Sequence, residues 1–272
     1  MERSLNEIRQ HYEIERELAD RLRTANRTER LQLYGEVYDE LFRRVPKHPQ
    51  LTRKVDESER AAAVAERMSL LSRFLNSSSV FLEIGAGDCA LSRNAAGRVK
   101  KCIALDVSRE ILDKAGDSGI EVVLSDGRSV PVSEGSVTVA YSYQVMEHIH
   151  PDDAIEQLRN IHNALAPGGI YLCVTPSRLN GPHDVSRYFE QKARGLHLKE
   201  YTYTELDRLF RQIGFRRTVA YVGLSHRYFP VPIPLLRVLE TVLDALPYRL
   251  RHWLGNLRGF QNLLFVSLAA EK

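Results

Sequence analysis

Val80-Phe-Leu-Glu-Ile-Gly-Ala-Gly-Asp-Cys-Ala-Leu-Ser92 (VFLEIGAGDCALS) opens as an apolar run broken only by Glu83 and then turns on glycines. Gly85, Gly87 and Ala90 satisfy a G-x-G-x-x-[GA] spacing, and an acid, Asp106, follows 19 residues after Gly87. A strand, a turn and a helix are the expected reading. Glycines in the turn let a ligand approach the backbone where side chains would block it. Spacing alone fits a dinucleotide, but Glu83 argues against one. It adds a second anion where a pyrophosphate would sit, and an ammonium or sulfonium ligand would be favoured there instead.

Downstream, strand and helix patterns alternate. KCIALD (101–106), EVVLSD (121–126), SVTVAYSY (136–143) and IYLCVTP (170–176) read as strands. SREILDKAG (108–116) and DDAIEQLRNIHNAL (152–165) read as helices, the second ended by Pro167-Gly168-Gly169. Thr202 and Glu205 form a capping box that opens a helix ending near Gly214. Such alternation predicts a Rossmann-like, doubly wound α/β fold, with a mostly parallel seven-stranded sheet and helices on both faces. Ligands in such sheets bind beyond the carboxyl ends of the strands. The turns at 85–88, 106–108, 126–128, 143–148 and 176–188 are therefore the candidate sites.

Upstream, apolar residues recur at helical spacing to about residue 45, and Pro46 and Pro49 stop the pattern. A further helix is expected from Glu57 to Leu75. The division expected is an N-terminal helical lid over 1–56 and a ligand-binding domain over 57–272. Between strand-like TVAYVGL (218–224) and NLLFVSLAA (262–270) lies a helical insertion, 227–260.

Lys and Arg number 38 against 35 acids, an excess too small to suggest a nucleic-acid partner. Cys89, Cys102 and Cys173 form no C-x-x-C pair, so they read as buried thiols in a reducing compartment, with no zinc site or other metal indicated. The charged N-terminus does not read as a signal peptide, and no apolar run is long enough to span a membrane. A cytoplasmic location is the expectation.

EIGAGDCALS (83–92), ALDVS (104–108), SDGRSVPVSEGSVTVAYSYQVMEHI (125–149) and LAPGGIYLCVTP (165–176) resemble, in order and interval, the motif set of class I S-adenosylmethionine-dependent methyltransferases. Within them the chain is similar to the small-molecule enzymes of the ubiquinone-biosynthesis and methyltransferase-domain-11 type. The resemblance implies S-adenosylmethionine as cofactor and S-adenosylhomocysteine as product. It implies that Gly85, Ala86 and Gly87 pack against the cofactor, with Glu83 facing the methionine amino group. Asp106 would accept both ribose hydroxyls and Val107 would pack on adenine. Asp126 and the Gly127 amide would meet the adenine edge, and Gln144 would lie near the methionine portion. Thr138 departs from the pattern, since many relatives carry Asp there.

The acceptor side is less specific. Arg178, His183, Asp184 and Arg187 crowd the loop after the fifth strand, and His197 follows. His183 is the candidate base or acceptor-orienting group, with Asp184 fixing its ring; Asp184 and Arg187 simply pairing is the alternative. His148, in the motif after the fourth strand, is the second candidate base. Arg178 and Arg187 suit a carboxylate acceptor, and the histidines suit a hydroxyl. Tyr12, Tyr34 and Tyr38 are candidate lining residues of the lid, with His11 and Arg53 as further contacts. The reading that follows is O-methylation of a small organic acceptor by a monomer or homodimer, without nucleic acid or an integral membrane segment. Peripheral membrane contact through 227–260 is a further expectation. N- or C-methylation of a lipophilic or quinone-like acceptor, a nicotinamide oxidoreductase and a silent cofactor-binding subunit are the alternatives.

Overall fold

A computed structural model describes residues 3–48, 57–108, 119–224 and 227–272. Arg53 and the helix expected after Ser108 lie outside these residues. The helices are α1 (Leu5–Thr24), α2 (Arg27–Arg44), α3 (Glu57–Leu71), α4 (Ala90–Ala96), α5 (Pro151–Ala164), α6 (Tyr203–Ile213), α7 (Ile233–Asp244), α8 (Tyr248–Gly255) and α9 (Phe260–Leu264). The strands are β1 (Val80–Ile84), β2 (Lys101–Asp106), β3 (Ile120–Leu124), β4 (Val137–Tyr143), β5 (Leu165–Thr175), β6 (Arg217–Leu224), β7 (Arg227–Val231) and β8 (Val266–Glu271).

Local chemistry sets the helix starts. Ser4 and Glu7 form a capping box on α1, Asn26 and Glu29 one on α2, and Thr202 and Glu205 one on α6. Each pair satisfies two orphan backbone donors reciprocally. The last of these is the box expected from sequence.

One sheet runs β3-β2-β1-β4-β5-β8-β6-β7. Strands β3 to β5 pair in parallel, and β8 is antiparallel to both β5 and β6. The chain changes direction of winding between β1 and β4, which opens a crevice at their carboxyl ends. Side chains alternate between two cores. Leu82, Ala140 and Tyr171 point to the face of α1, α2, α5 and α6. Phe81, Tyr141 and Leu172 point to the face of α3 and α4. Thr138 joins β4 to β1: its Oγ1 accepts from the Val80 amide at 2.9 Å and donates to the Val80 carbonyl at 3.2 Å.

Several boundaries differ from the sequence expectation. The sheet has eight strands rather than seven, because the insertion begins as β7, paired to β6. The β5 strand starts at Leu165 and absorbs Pro167-Gly168-Gly169 at a register shift opposite Val137 and Val139. Residues 260–264 are helical, so the last strand starts at Val266. Helix α3 stops at Leu71, short of Leu75.

Candidate active site

Beyond the carboxyl end of β1, Gly85 and Gly87 take φ of +70° and +55°, values that glycine adopts without strain. Their reasons differ. A Cβ on Gly85 would lie 2.4 Å from Val145 Cγ2, so this glycine serves contact with the turn after β4. A Cβ on Gly87 would meet nothing within 4 Å, so its face is open to a ligand. Ala86 is buried and Val107 half-buried beside them.

Asp106 closes β2 and is nearly buried. Its Oδ2 accepts the Gly87 amide at 3.0 Å and its Oδ1 the Ser108 amide at 3.0 Å. Each carboxylate oxygen keeps a second lone pair, so two hydroxyls can still be accepted. Glu83, on β1, is buried and accepts from the Ser92 hydroxyl. Burial pushes its carboxyl up to about 7, against the pull of Ser92 and Arg67. A buried carboxylate held this way favours an incoming cation. Open space at Gly87, spare acceptors on Asp106 and an under-neutralised Glu83 together fit the ribose and amino group of S-adenosylmethionine.

The turn after β3, where the resemblance puts adenine, is more self-contained. Asp126 Oδ1 accepts the Arg128 and Ser129 amides at 2.9 and 2.6 Å, and its pKa falls despite burial. The Gly127 amide, expected to face the adenine ring, donates to Ser125 Oγ at 3.1 Å. The Tyr34 ring lies over Gly127, close enough to crowd any added Cβ at 3.0 Å. Gln144 is exposed at φ +55° with its amide bonded to the Val174 carbonyl at 2.8 Å.

Arg67, on α3, is a site residue that sequence reasoning missed. Its guanidinium carbon lies 4.2 Å from the centre of the Tyr143 ring, and its charge draws the Glu83 pKa down. Arg67 lines a cavity of about 340 Å³ with Tyr141, Tyr143, Asn180, His183 and Tyr228. In the sequence it sits beside the apolar Val64–Met68–Leu71 stripe and reads as an ordinary surface cation.

His183 therefore lies where its loop position suggested, but its support differs. Its Nε2 faces the Ser177 carbonyl at 3.0 Å and Asn180 Oδ1 at 3.1 Å. Both are acceptors, so Nε2 carries the proton and Nδ1 is left to accept. Burial lowers its pKa, which favours the neutral ring. Asp184 does not hold that ring and does not pair with Arg187. Its carboxylate accepts the Ser186 and Gly195 amides, each at 2.9 Å, and so closes the loop on itself. Arg187 is exposed and bonds the Tyr188 hydroxyl. Arg178 forms a bidentate pair with Asp244 at 2.8 and 3.1 Å and also reaches Glu205. The two arginines do not converge.

A second polar cluster lies beneath α1 and α2. His148 Nδ1 meets the Leu196 carbonyl at 3.0 Å, and burial drives its pKa down to about 3. His197 Nδ1 contacts Glu200 Oε1 at 2.8 Å. Burial opposes its charge, yet Glu200 and Glu147 lift its pKa to about 9. Glu147 accepts from Thr175 Oγ1 at 2.8 Å, while its Oε1 has no hydrogen-bond partner among the described residues. Burial raises this carboxyl to about 7. Glu147, His148 and His197 bring ligand-type atoms within 4.8 Å of one another, as do His11, Glu15 and His48. Both groups have the residue types of divalent-metal sites. Neither Glu147 nor Glu15 stood out in the sequence.

The N-terminal helices are tied to this cluster. Glu15 accepts the Leu196 amide at 2.9 Å, and Arg23 donates to the Arg194 and Gly195 carbonyls. Tyr12 donates to Glu190 at 2.9 Å. Arg30 and Tyr34 both bond Asp153 at the start of α5.

Comparison with known proteins follows the same outline. A profile described as a methyltransferase domain matches residues 56–219. Carboxy-S-adenosyl-L-methionine synthase of Shewanella halifaxensis is 25% identical over 97 residues, which span 33% of this chain and 39% of that protein. An S-adenosylmethionine-dependent methyltransferase of Archaeoglobus fulgidus superposes with a TM-score of 0.53 at 15% identity, covering 78% of this chain and 94% of the other. Phosphoethanolamine N-methyltransferase 2 of Haemonchus contortus, in complex with S-adenosyl-L-methionine, gives 0.52 at 17% identity, covering 82% and 59%.

Proposed function

This chain belongs to the methyltransferase domain family, with S-adenosylmethionine as its methyl donor, and we propose that it methylates a hydroxyl of a small organic acceptor. The sulfonium supplies an already activated methyl group, so the protein's task is to align the acceptor and to handle one proton. Holding two reactants in line is worth roughly 7–11 kcal/mol of barrier.

His183 carries the reading. It lines the 340 Å³ cavity with Arg67 and Tyr143, beyond the carboxyl ends of β4 and β5. Its ring is neutral, with Nε2–H anchored by Ser177 and Asn180 and Nδ1 able to take a hydroxyl proton. His148, buried to a pKa of about 3, is the poorer base and orients its segment through Leu196. A carboxylate acceptor would want Arg178 and Arg187 together, and each is engaged elsewhere. Glu83 is assigned to the donor's ammonium and Asp106 to its ribose. Helices α1 and α2 act as a lid, and the buried thiols Cys89, Cys102 and Cys173 suit the reducing cytoplasm.

The test follows labelled methyl from S-adenosylmethionine into fractionated cell extract and identifies the methylated product by mass and by its methyl carbon shift. An O-methyl product is expected. With that acceptor, His183→Ala should lower kcat by about 10²–10⁴-fold while leaving donor affinity unchanged. An N- or C-methyl product, or full turnover by His183→Ala, contradicts the assignment.

A further inference from the structure

The insertion turns an unusual face outward. On α7, Leu235, Val238 and Val242 are exposed, the first two at 64%. On α8 and the residues after it, Leu250, Trp253 and Leu257 are exposed, Trp253 at 60%. Leu235, Val238 and Val242 are spaced three and then four residues apart and form one stripe along α7, while Leu250 and Trp253 share a face of α8 and Leu257 follows in the turn after it. The opposite face of α7 is buried through Ile233, Leu236 and Leu243. The outer stripes are thus surplus to the core, and isolated monomers rarely leave so much clustered apolar surface without a use.

Charge identifies the occupant. Residues 227–260 hold Arg227, Arg237, Arg249, Arg251 and Arg258 but only two acids, Glu240 and Asp244. Both acids are engaged. Glu240 is buried and accepts the Tyr203 and Thr204 amides. Asp244 pairs with Arg178 and Arg251. Arg249 and Arg258 are exposed among the apolar stripes. Apposing two copies of this face would bring like charges together, whereas an anionic lipid surface complements both its apolar and its cationic groups. Tryptophan favours the same boundary between headgroup and acyl chain.

We propose that the outer face of α7 and α8 docks on an anionic bilayer surface. This rests on the exposed face alone and stands independently of the acceptor chemistry. Tyr228 and Asn256 of the insertion line the cavity, with Gln261, Asn262 and Phe265 just beyond it, so docking brings that cavity to the lipid. No described helix is long and apolar enough to cross a membrane. The helices therefore lie on it.

Trp253 is the only tryptophan in the chain and reports on the face directly. The full-length protein is titrated with phosphatidylcholine vesicles, with and without phosphatidylglycerol, following Trp253 emission and co-sedimentation. A blue shift and sedimentation with the anionic vesicles, reduced by salt, are expected. Arg249→Glu and Arg258→Glu should each weaken partitioning at least roughly fivefold, and Val238→Glu should abolish the blue shift, with unchanged melting and S-adenosylmethionine binding as controls. Absence of both signals in the wild-type protein overturns the proposal, as does equal partitioning by the variants. Lipid-free dimerisation that buries Trp253 and is lost in Val238→Glu would also overturn it, assigning the face to a second copy.

Discussion

The edge proposed for the donor and the region beneath the N-terminal helices are built differently. At the donor edge, Gly85, Gly87, Asp106 and Asp126 are placed by turns and backbone amides a few residues or one strand away. Beneath the N-terminal helices, the groups are placed by distant partners. Glu15 meets an amide 181 residues away, and Arg30 reaches across 123 residues to Asp153. The first region is held by contacts near in the chain or one strand away, and the second by contacts far apart in the sequence.

That contrast makes unequal demands on stability. Arg30 and Asp153 are buried at 6% and 0% side-chain exposure, with Nε to Oδ2 at 2.6 Å. Removing one partner leaves an uncompensated buried charge, so Arg30→Ala should destabilise the chain by about 3–5 kcal/mol. Chemical denaturation measures it. A loss below about 1 kcal/mol would mean that the N-terminal helices are not coupled to the sheet as their contacts imply.

A smaller effect is expected at the donor edge. Gly85→Ala places a Cβ against Val145 and imposes left-handed backbone strain, together about 1–3 kcal/mol. Adding Val145→Ala should relieve the steric part and leave the backbone part. Full rescue, read from the denaturation midpoint, would show that φ at Gly85 costs an alanine nothing.

How far the sequence could be read follows the same division. VFLEIGAGDCALS foretold its strand, turn and helix because their determinants are contiguous. The β7 strand was read as part of a helical insertion; it carries Pro230, which the outer edge of a sheet tolerates because no inward ladder bond is left unmade. Pro167-Gly168-Gly169 read as a helix stop and became a bulged strand entry, since β4 and β8 flank it. In the loop after β5, His183 was visible as a polar residue beyond a strand. Its anchors Ser177 and Asn180 were not, and neither was Arg67, whose role depends on α3 packing beside β4. Only the fold supplies those partners.

The assignment of Glu83 can be settled by calorimetric titration of S-adenosylmethionine across pH. Burial raises the free carboxyl to about 7, and the donor's ammonium prefers it ionised. Affinity should therefore fall about tenfold per unit as pH drops below about 7, and fall again above about 8 as the donor's amino group deprotonates. Glu83→Gln should bind more weakly and lose the acid limb. A Glu83→Gln variant that binds as tightly as the wild type, with the same acid limb, would contradict the assignment of this edge to the donor's amino group.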